Sequence, residues 1–142
     1  MNDNSGETNL DYLIKNMQPI LEDEDLVFCS LSPARAEEYF VLCQGYYVER
    51  EGITVIIGKH LADLNELAYD LLFKRITLNV HSSLTAVGFL ARITEVLAAQ
   101  GFSVNVVSAY YHDHLYIQSD QAQAALDTLL LWQDKMSQED IE

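Results

Sequence analysis

The segment from Val87 to Ser108, VGFLARITEVLAAQGFSVNVVS, decides the fold. Leu90, Ile93 and Leu97 recur at helical spacing, so they predict a helix with one apolar side. Gly101 is placed to end this helix, and the extended run FSVNVVSAYY follows it as a strand. A helix joined in this way to a strand can bury its apolar side against a sheet.

The neighbouring segments complete the second half of the chain. KRITLNV alternates apolar and polar residues, as a half-buried strand does, and Ser82 or Ser83 can cap the helix after it. His112 and Asp113 are predicted at a turn that leads into the strand LYIQ. A last helix is predicted from Asp120 to Lys135. The order strand, helix, strand, strand, helix is ferredoxin-like and lacks at most one edge strand.

The first half has a similar order. A short helix around Leu10 precedes the strand LVFCSL, and Ser32 and Pro33 mark the start of a second helix. The segment FVLCQGYYVEREGITVIIG is predicted to form a hairpin of two extended apolar runs around EREG, followed by a helix from Lys59 to Leu72. The two halves therefore indicate a duplication, inferred from pattern and not from identity.

The central segment of the second half resembles an ACT domain, the small regulatory module named for amino-acid-controlled enzymes. From about Leu10 to Leu131, the chain resembles short stand-alone bacterial proteins of two tandem ACT-like units. The resemblance implies an α+β fold of two ferredoxin-like (βαββαβ) units, each with an antiparallel sheet covered by helices on one face. The matching residues are Val87, Gly88, Leu90, Ala91, Ile93, Val96, Leu97, Ala98, Gln100 and Gly101.

The comparison of the two halves predicts that the chain divides into four segments. Residues 1–9 are predicted as a polar N-terminal tail and residues 136–142 as an acidic C-terminal tail. Residues 74–135 are predicted to form the second ACT-like unit. Residues 10–73 are predicted to form a first, degenerate unit, because SLSPARAEEY lacks the glycine that precedes the helix in the second unit.

The resemblance implies an amino-acid ligand at the loop before the second unit's helix. Free backbone N–H groups at a helix start can bind a carboxylate, and a glycine there permits close approach. Val87 stands where the family usually has proline, and Ser103 where the strand asparagine often sits, with Asn105 two residues later. The alternative is that this loop only caps and packs the helix. The candidate ligand-binding residues are Ser82, Ser83, Leu84, Ala86, Val87, Gly88, Ser103 and Asn105.

The stretch SAYYHDHLYIQ suggests a metal site as a further alternative. A catalytic metal needs about three converging protein ligands, and His81, His112 and His114, with Asp113 between the last two, are the only candidates. Ordinary polar residues of a hairpin explain this stretch more simply. No GxSxG, P-loop, GxGxxG or HExxH motif occurs, so we expect neither an enzyme nor a cofactor.

Composition limits the partners. A net charge of −14, from 22 acidic and 8 basic residues, argues against nucleic acid, whose phosphates require clustered Lys and Arg. No apolar run of 18 residues occurs and the N-terminal residues lack signal-peptide features, so no membrane partner and a cytoplasmic location are predicted. Cys29 and Cys43 are expected to be reduced thiols.

These features predict a non-catalytic regulatory protein that binds a small amino acid or a related effector. The predicted protein partner is another copy of the same chain, in a homodimer or higher homo-oligomer. The alternative is a module that mediates assembly and binds no ligand. Phe89 and Val96, beside the apolar stripe of the second unit's helix, are then expected at a contact with another chain. A metal-dependent enzyme using His81, His112 and His114 is the remaining alternative.

Overall fold

The structure, a computed structural model, describes residues 6–139 and divides into two compact units. We call residues 23–74 the central unit; residues 6–22 and 75–139 together form the terminal unit. The N-terminal segment, predicted to begin the first half, thus packs with the second half. Of the two predicted tails, residues 1–5 and 140–142 lie outside the described residues.

Five helices and seven strands are assigned within residues 6–139. In chain order they are α1 (Leu10–Lys15), β1 (Pro19–Leu21), β2 (Leu26–Leu31), α2 (Pro33–Glu37), β3 (Gly45–Val48), β4 (Ile53–Gly58), α3 (Lys59–Leu64), β5 (Phe73–Leu78), α4 (Phe89–Ala99), β6 (Asn105–Ser108), β7 (Asp113–Gln118) and α5 (Ala122–Glu139).

The central unit contains an antiparallel sheet in which β4 lies between β3 and β2. Phe73, at the start of β5, pairs with Leu26 on the other side of β2. The predicted hairpin is confirmed, and its turn is closed by the Glu49 N–H donating to the Gly52 carbonyl at 3.0 Å. The strands bury alternate residues against α2 and α3, in a core of Val27, Cys29, Leu31, Ala36, Tyr39, Ile53, Val55, Ile57, Ala62 and Leu67.

The start of α2 agrees with the sequence prediction, whereas the end of α3 does not. Ser32 caps α2 as predicted, because its hydroxyl accepts from the Arg35 N–H at 3.3 Å. The prediction for α3 was too long: the helix ends at Leu64, and Glu66 adopts a left-handed φ of 57°. Leu71, expected on the buried stripe, is half exposed.

The terminal unit has the strand order β1–β5–β7–β6. β1 runs antiparallel to β5, with Ile20 opposite Thr77, and supplies the edge strand that the second half lacks. Helices α1, α4 and α5 bury their apolar sides on one face of this sheet, so the predicted ferredoxin-like α+β fold is confirmed. The core consists of Leu13, Ile14, Met17, Ile76, Leu78, Val80, Phe89, Ile93, Leu97, Leu115, Ile117, Ala125 and Leu129.

Helix α4 ends where its sequence predicts. Gly101 has φ 86° and donates its N–H to the Ala98 carbonyl at 2.9 Å, while the Phe102 N–H reaches the Leu97 carbonyl at 3.0 Å. This pair of bonds is a Schellman motif, which satisfies carbonyls at the helix end and favours glycine. Phe89 is buried in the core, so it is not available for the contact suggested under the assembly alternative.

The hairpin of β6 and β7 turns earlier than predicted, because β6 ends at Ser108. Its turn covers residues 109–112 and is closed by the Ala109 N–H donating to the His112 carbonyl at 3.0 Å. Asp113 is not a turn residue: it begins β7 and pairs with Ser108. The polar pattern around Asp113 favoured a turn, but cross-strand pairing decides its place.

Helix α5 continues through Glu139, past its predicted end at Lys135. Met136 packs against the core of the terminal unit, so residues 136–139 are not a tail. Within residues 6–139, no helix combines the length and apolar character that crossing a bilayer requires.

Candidate functional site

A pocket of about 130 Å³ opens in the terminal unit between the loop before α4, the start of α4 and the hairpin of β6 and β7. Both polar and apolar groups face it. Its lining residues are Ser82, Ser83, Leu84, Ala86, Gly88, Phe89, Leu90, Ala91, Ser108 and Asp113.

The first turn of α4 forms one wall. The first hydrogen bond of this helix runs from the Arg92 N–H to the Gly88 carbonyl at 3.0 Å. The N–H groups of Phe89, Leu90 and Ala91 therefore have no acceptor within the helix. These groups lie at the positive end of an 11-residue helix and can donate hydrogen bonds to an anion in the pocket.

A buried carboxylate also lines the pocket. Asp113 is 6% exposed and Ser82 is 7% exposed, and the Ser82 hydroxyl donates to Oδ2 of Asp113 at 2.7 Å. A carboxylate is costly to bury, and hydrogen bonds to it offset part of that cost. The pocket lining thus includes both hydrogen-bond donors of the helix start and an acidic acceptor.

The loop before α4 has a fixed internal turn. The Ser83 hydroxyl accepts from the Thr85 N–H at 3.1 Å, and the Ala86 N–H donates to the Ser83 carbonyl at 3.0 Å. The prediction that Ser82 or Ser83 caps α4 is therefore wrong. Gly88 is the N-cap, with φ 90°, a left-handed conformation that disfavours any side chain.

Five of the eight candidate residues lie together. Val87 is not among the lining residues and is 85% exposed, and Ser103 is an exposed residue in the connection between α4 and β6. The Asn105 side chain donates to the Tyr116 carbonyl at 3.4 Å, across β6 and β7. The five that line the pocket are Ser82, Ser83, Leu84, Ala86 and Gly88.

Sequence reasoning missed Asp113 and Ser108 as pocket residues. A signal was present for Asp113, because it alternates with Leu115 and Ile117, which are fully buried. Had β7 been extended by two residues, this alternation would have placed the carboxylate on the core face of the sheet. Ser108 carried no signal of its own, since it depends on pairing with Asp113.

The histidines do not assemble a metal site. His112 Nδ1 lies 3.4 Å from the Val80 carbonyl, and His114 Nδ1 lies 2.9 Å from the Thr77 hydroxyl. Residues 6–139 contain no group of three or more His, Cys, Asp or Glu side chains that could hold a metal ion. His81, His112 and His114 therefore do not form the ligand set that the metal-enzyme alternative requires.

The surroundings of His114 favour its neutral form. Burial lowers the pKa of this imidazole, and the positive charge of Arg75 lowers it further. Arg75 itself pairs with Glu22, with 2.8 Å between Nη2 and Oε1. The imidazole thus acts as a hydrogen-bond partner of Thr77 within the sheet.

Solved structures share this fold. A Vibrio cholerae protein of unknown function, described as a possible transport protein, is 40% identical, with a TM-score of 0.76 over 84% of this chain and 92% of that one. An Agrobacterium tumefaciens protein is 14% identical, with a TM-score of 0.64 over 81% and 87%. The ligand-free regulatory subunit of aspartate kinase from Thermus thermophilus is 12% identical, with a TM-score of 0.59 over 80% and 94%.

Family models match nearly the whole chain. One model described as an ACT domain matches residues 5–74, and a second matches residues 74–130. No curated protein shows significant similarity. The order of strands and helices in the two units agrees with the family match. The chain therefore belongs to the ACT domain family, as a protein of two tandem ACT domains.

Proposed function

We propose that the protein is a non-catalytic regulator that binds a small amino acid in the pocket before α4. The observation that carries this proposal is that one pocket is lined both by helix N–H groups without an acceptor in α4 and by the buried carboxylate of Asp113. An amino acid carries a carboxylate and an ammonium group on one carbon. Each of these groups has a complementary partner in the pocket lining.

These two parts of the lining determine how the ligand is oriented. Its carboxylate accepts hydrogen bonds from the N–H groups of Leu90 and Ala91, where the helix dipole also favours negative charge. Its ammonium group faces Asp113, with the Ser108 hydroxyl as a further partner. The opposite orientation would place the ligand carboxylate against Asp113 and is therefore unfavourable.

The pocket volume limits the ligand. A cavity of about 130 Å³ is smaller than the roughly 300–1,000 Å³ that is typical of sites for drug-sized ligands. This size suits an amino acid with a small side chain, such as glycine, alanine or serine. Leu84 and Phe89 are apolar lining residues that a methyl group of the ligand can contact.

Regulation then requires a protein on which the bound state acts. The fold is shared with a protein described as a regulatory subunit, which supports a role of this class. We infer that the partner is a further copy of this chain, in a homodimer or higher homo-oligomer. A cytoplasmic location, as predicted from the sequence, belongs to this proposal, and cell fractionation would test it.

Thermal unfolding with each of the twenty amino acids tests ligand binding. A ligand at a hundred times its dissociation constant stabilises the folded state by about 2.7 kcal/mol, which shifts the midpoint measurably. We expect shifts for small amino acids only. A flat response across all twenty would contradict the proposal.

Asp113→Asn then tests the orientation of the ligand. The amide keeps the shape and can still accept from Ser82, but it lacks the charge that attracts the ammonium group. We expect the dissociation constant, measured by calorimetry, to rise at least tenfold, or about 1.4 kcal/mol. Asp134→Asn, at an exposed position of α5, is the matched control and should leave the constant unchanged.

A second candidate function is assembly without a ligand. It is favoured by β3, an edge strand that exposes Tyr46, Tyr47 and Val48, the last two by 73% and 67%. Exposed apolar edge strands can pair with another chain. Light scattering that shows a strict monomer at every concentration would contradict this candidate. An oligomer that binds no amino acid would favour it over the first.

A further inference from the structure

The N-terminal residues Gly6 and Glu7, here called the strap, lie along the loop before α4. The Glu7 N–H donates to the His81 carbonyl at 2.8 Å, and the Ser83 N–H donates to the Glu7 carbonyl at 2.8 Å. Glu7 and Ser82 thereby form a short parallel bridge. The strap thus pairs with the segment that carries the pocket residues Ser82 and Ser83.

Gly6 lies too close to the loop to carry a side chain. A Cβ atom there would lie 2.8 Å from the Ser82 carbonyl carbon, 2.8 Å from the Ser83 nitrogen and 2.9 Å from His81 Cδ2. Two of these neighbours are backbone atoms, which cannot move without moving the loop. Its φ of 86° is also in the left-handed region.

The loop is also held by the hairpin of β6 and β7. The His81 ring lies 5.3 Å from the ring of Tyr111 and 6.2 Å from that of Tyr110, measured between centroids. The hydrogen bond from Ser82 to Asp113 joins the same loop to β7. Residues 81–83 therefore have two supports, and the strap is the one distant in sequence from the pocket.

We propose that the strap is a positioning element of the ligand pocket, fixing Ser82 and Ser83 relative to the start of α4. This inference rests on the proposed function for its effect on binding. A loop that is hydrogen-bonded both to the strap and to β7 opens less often, so a ligand binds to it without first ordering it. Releasing the strap changes none of the lining side chains but lets their positions vary.

Gly6→Ala, compared with Gly101→Ala, tests this proposal. Both glycines have φ 86°, so alanine is strained at both positions. At Gly101, however, a Cβ would meet no atom of the described residues within 4 Å, its neighbours in the chain apart. The difference between the two variants therefore isolates the steric displacement of the strap from the strain of a positive φ.

Two measurements are made on each variant. Hydrogen exchange of the Ser83 N–H, followed by NMR, reports the bond to the Glu7 carbonyl without any ligand. We expect Gly6→Ala to speed this exchange about tenfold and to raise the dissociation constant for the best-binding amino acid about tenfold. Gly101→Ala should change each by less than about twofold. Deleting residues 1–7 removes the strap without adding a clash and should match Gly6→Ala.

The outcomes separate this inference from the proposed function. Unchanged Ser83 exchange in Gly6→Ala and in the deletion would overturn the strap's role, as would equal effects in Gly101→Ala. Faster exchange with unchanged affinity would also overturn it as a positioning element of the pocket. If the native protein binds none of the twenty amino acids, the proposed function fails. Ser83 exchange alone then decides whether the strap fixes the loop.

Discussion

A serine hydroxyl and a buried carboxylate meet in the pocket wall, and their hydrogen bond supports folding as well as any ligand. Ser82→Ala would leave the Asp113 oxygen without this donor. Hydrogen bonds to charged groups contribute about 1.5–3 kcal/mol, so we expect the free energy of unfolding to fall by about that amount. Urea denaturation measures it. Ser103→Ala, at an exposed position, should change it by less than about 0.5 kcal/mol.

His114 makes stability depend on pH in a defined direction. Burial and nearby positive charge lower its pKa in the folded protein below the ordinary value of about 6.5. As the pH falls, His114 therefore binds a proton in the unfolded chain before it does so in the folded protein. The free energy of unfolding is thus largest above pH 6.5 and decreases as the pH falls below that value. We expect the unfolding free energy to drop between pH 7.5 and 5.5, and His114→Gln to reduce that slope.

The control for this prediction is His60→Gln, which alters an exposed histidine of the central unit. It should keep the slope of the native protein. NMR titration of the ring protons gives a direct measurement, because the His114 signals should move with a midpoint below 6.5. A midpoint at or above that value would contradict the lowered pKa.

Residues differ in how much of their role the local sequence reveals. Ser32 and Gly101 act at helix ends, where the signal and the structure involve neighbours in the chain, so both were predicted correctly. Asp113 was predicted in a turn because its residue type favours turns, whereas its place depends on pairing with a strand and on Ser82. The role of Gly6 was not foreseen, since its neighbours lie about 75 residues away in the sequence.

Among the elements, α1 and β1 are the least predictable from local patterns. The helix around Leu10 was predicted, but nothing local indicated that α1 and β1 pack with residues 75–139. Leu13, Ile14 and Met17 are fully buried in that core. The end of α3 was also missed, because the apolar spacing continues after Leu64 while the backbone leaves the helix.

This packing predicts that residues 74–142 do not fold alone. Without residues 1–22, the fragment exposes the core against which α1 packs and the β5 edge that pairs with β1. We expect its circular dichroism spectrum to show little native structure, and a peptide of residues 1–22 added in trans to restore it. The same peptide carrying Ile14→Asp should not, because it would bury an unpaired charge. Cooperative unfolding of the fragment by itself would contradict the prediction.

For the whole molecule, the large excess of negative charge is a property that the sequence alone reveals. With 22 acidic and 8 basic residues, the negative charges exceed the positive ones by 14. Mutual repulsion of these charges destabilises the folded chain, and salt screens it over about 8–10 Å at 0.1–0.15 M ionic strength. We therefore expect the unfolding midpoint to rise as sodium chloride increases from 10 to about 300 mM.

The matched variant for this prediction carries glutamine at Glu37, Glu38 and Glu51, which are exposed in the central unit. Removing three negative charges should raise the midpoint in low salt and reduce its increase with added salt. A midpoint independent of salt in the native protein would show that repulsion does not limit its stability.

The packing of α1 and β1 also sets an order for folding during synthesis. Residues 6–22 are made before the residues that enclose them, and the whole central unit lies between the two in the sequence. Contacts so distant in sequence slow folding, because a long chain must close before they form. The N-terminal segment therefore waits, with Leu13, Ile14 and Met17 uncovered, while residues 23–74 emerge and fold. The pocket before α4, whose loop pairs with the strap, is completed only after the hairpin of β6 and β7 has been made.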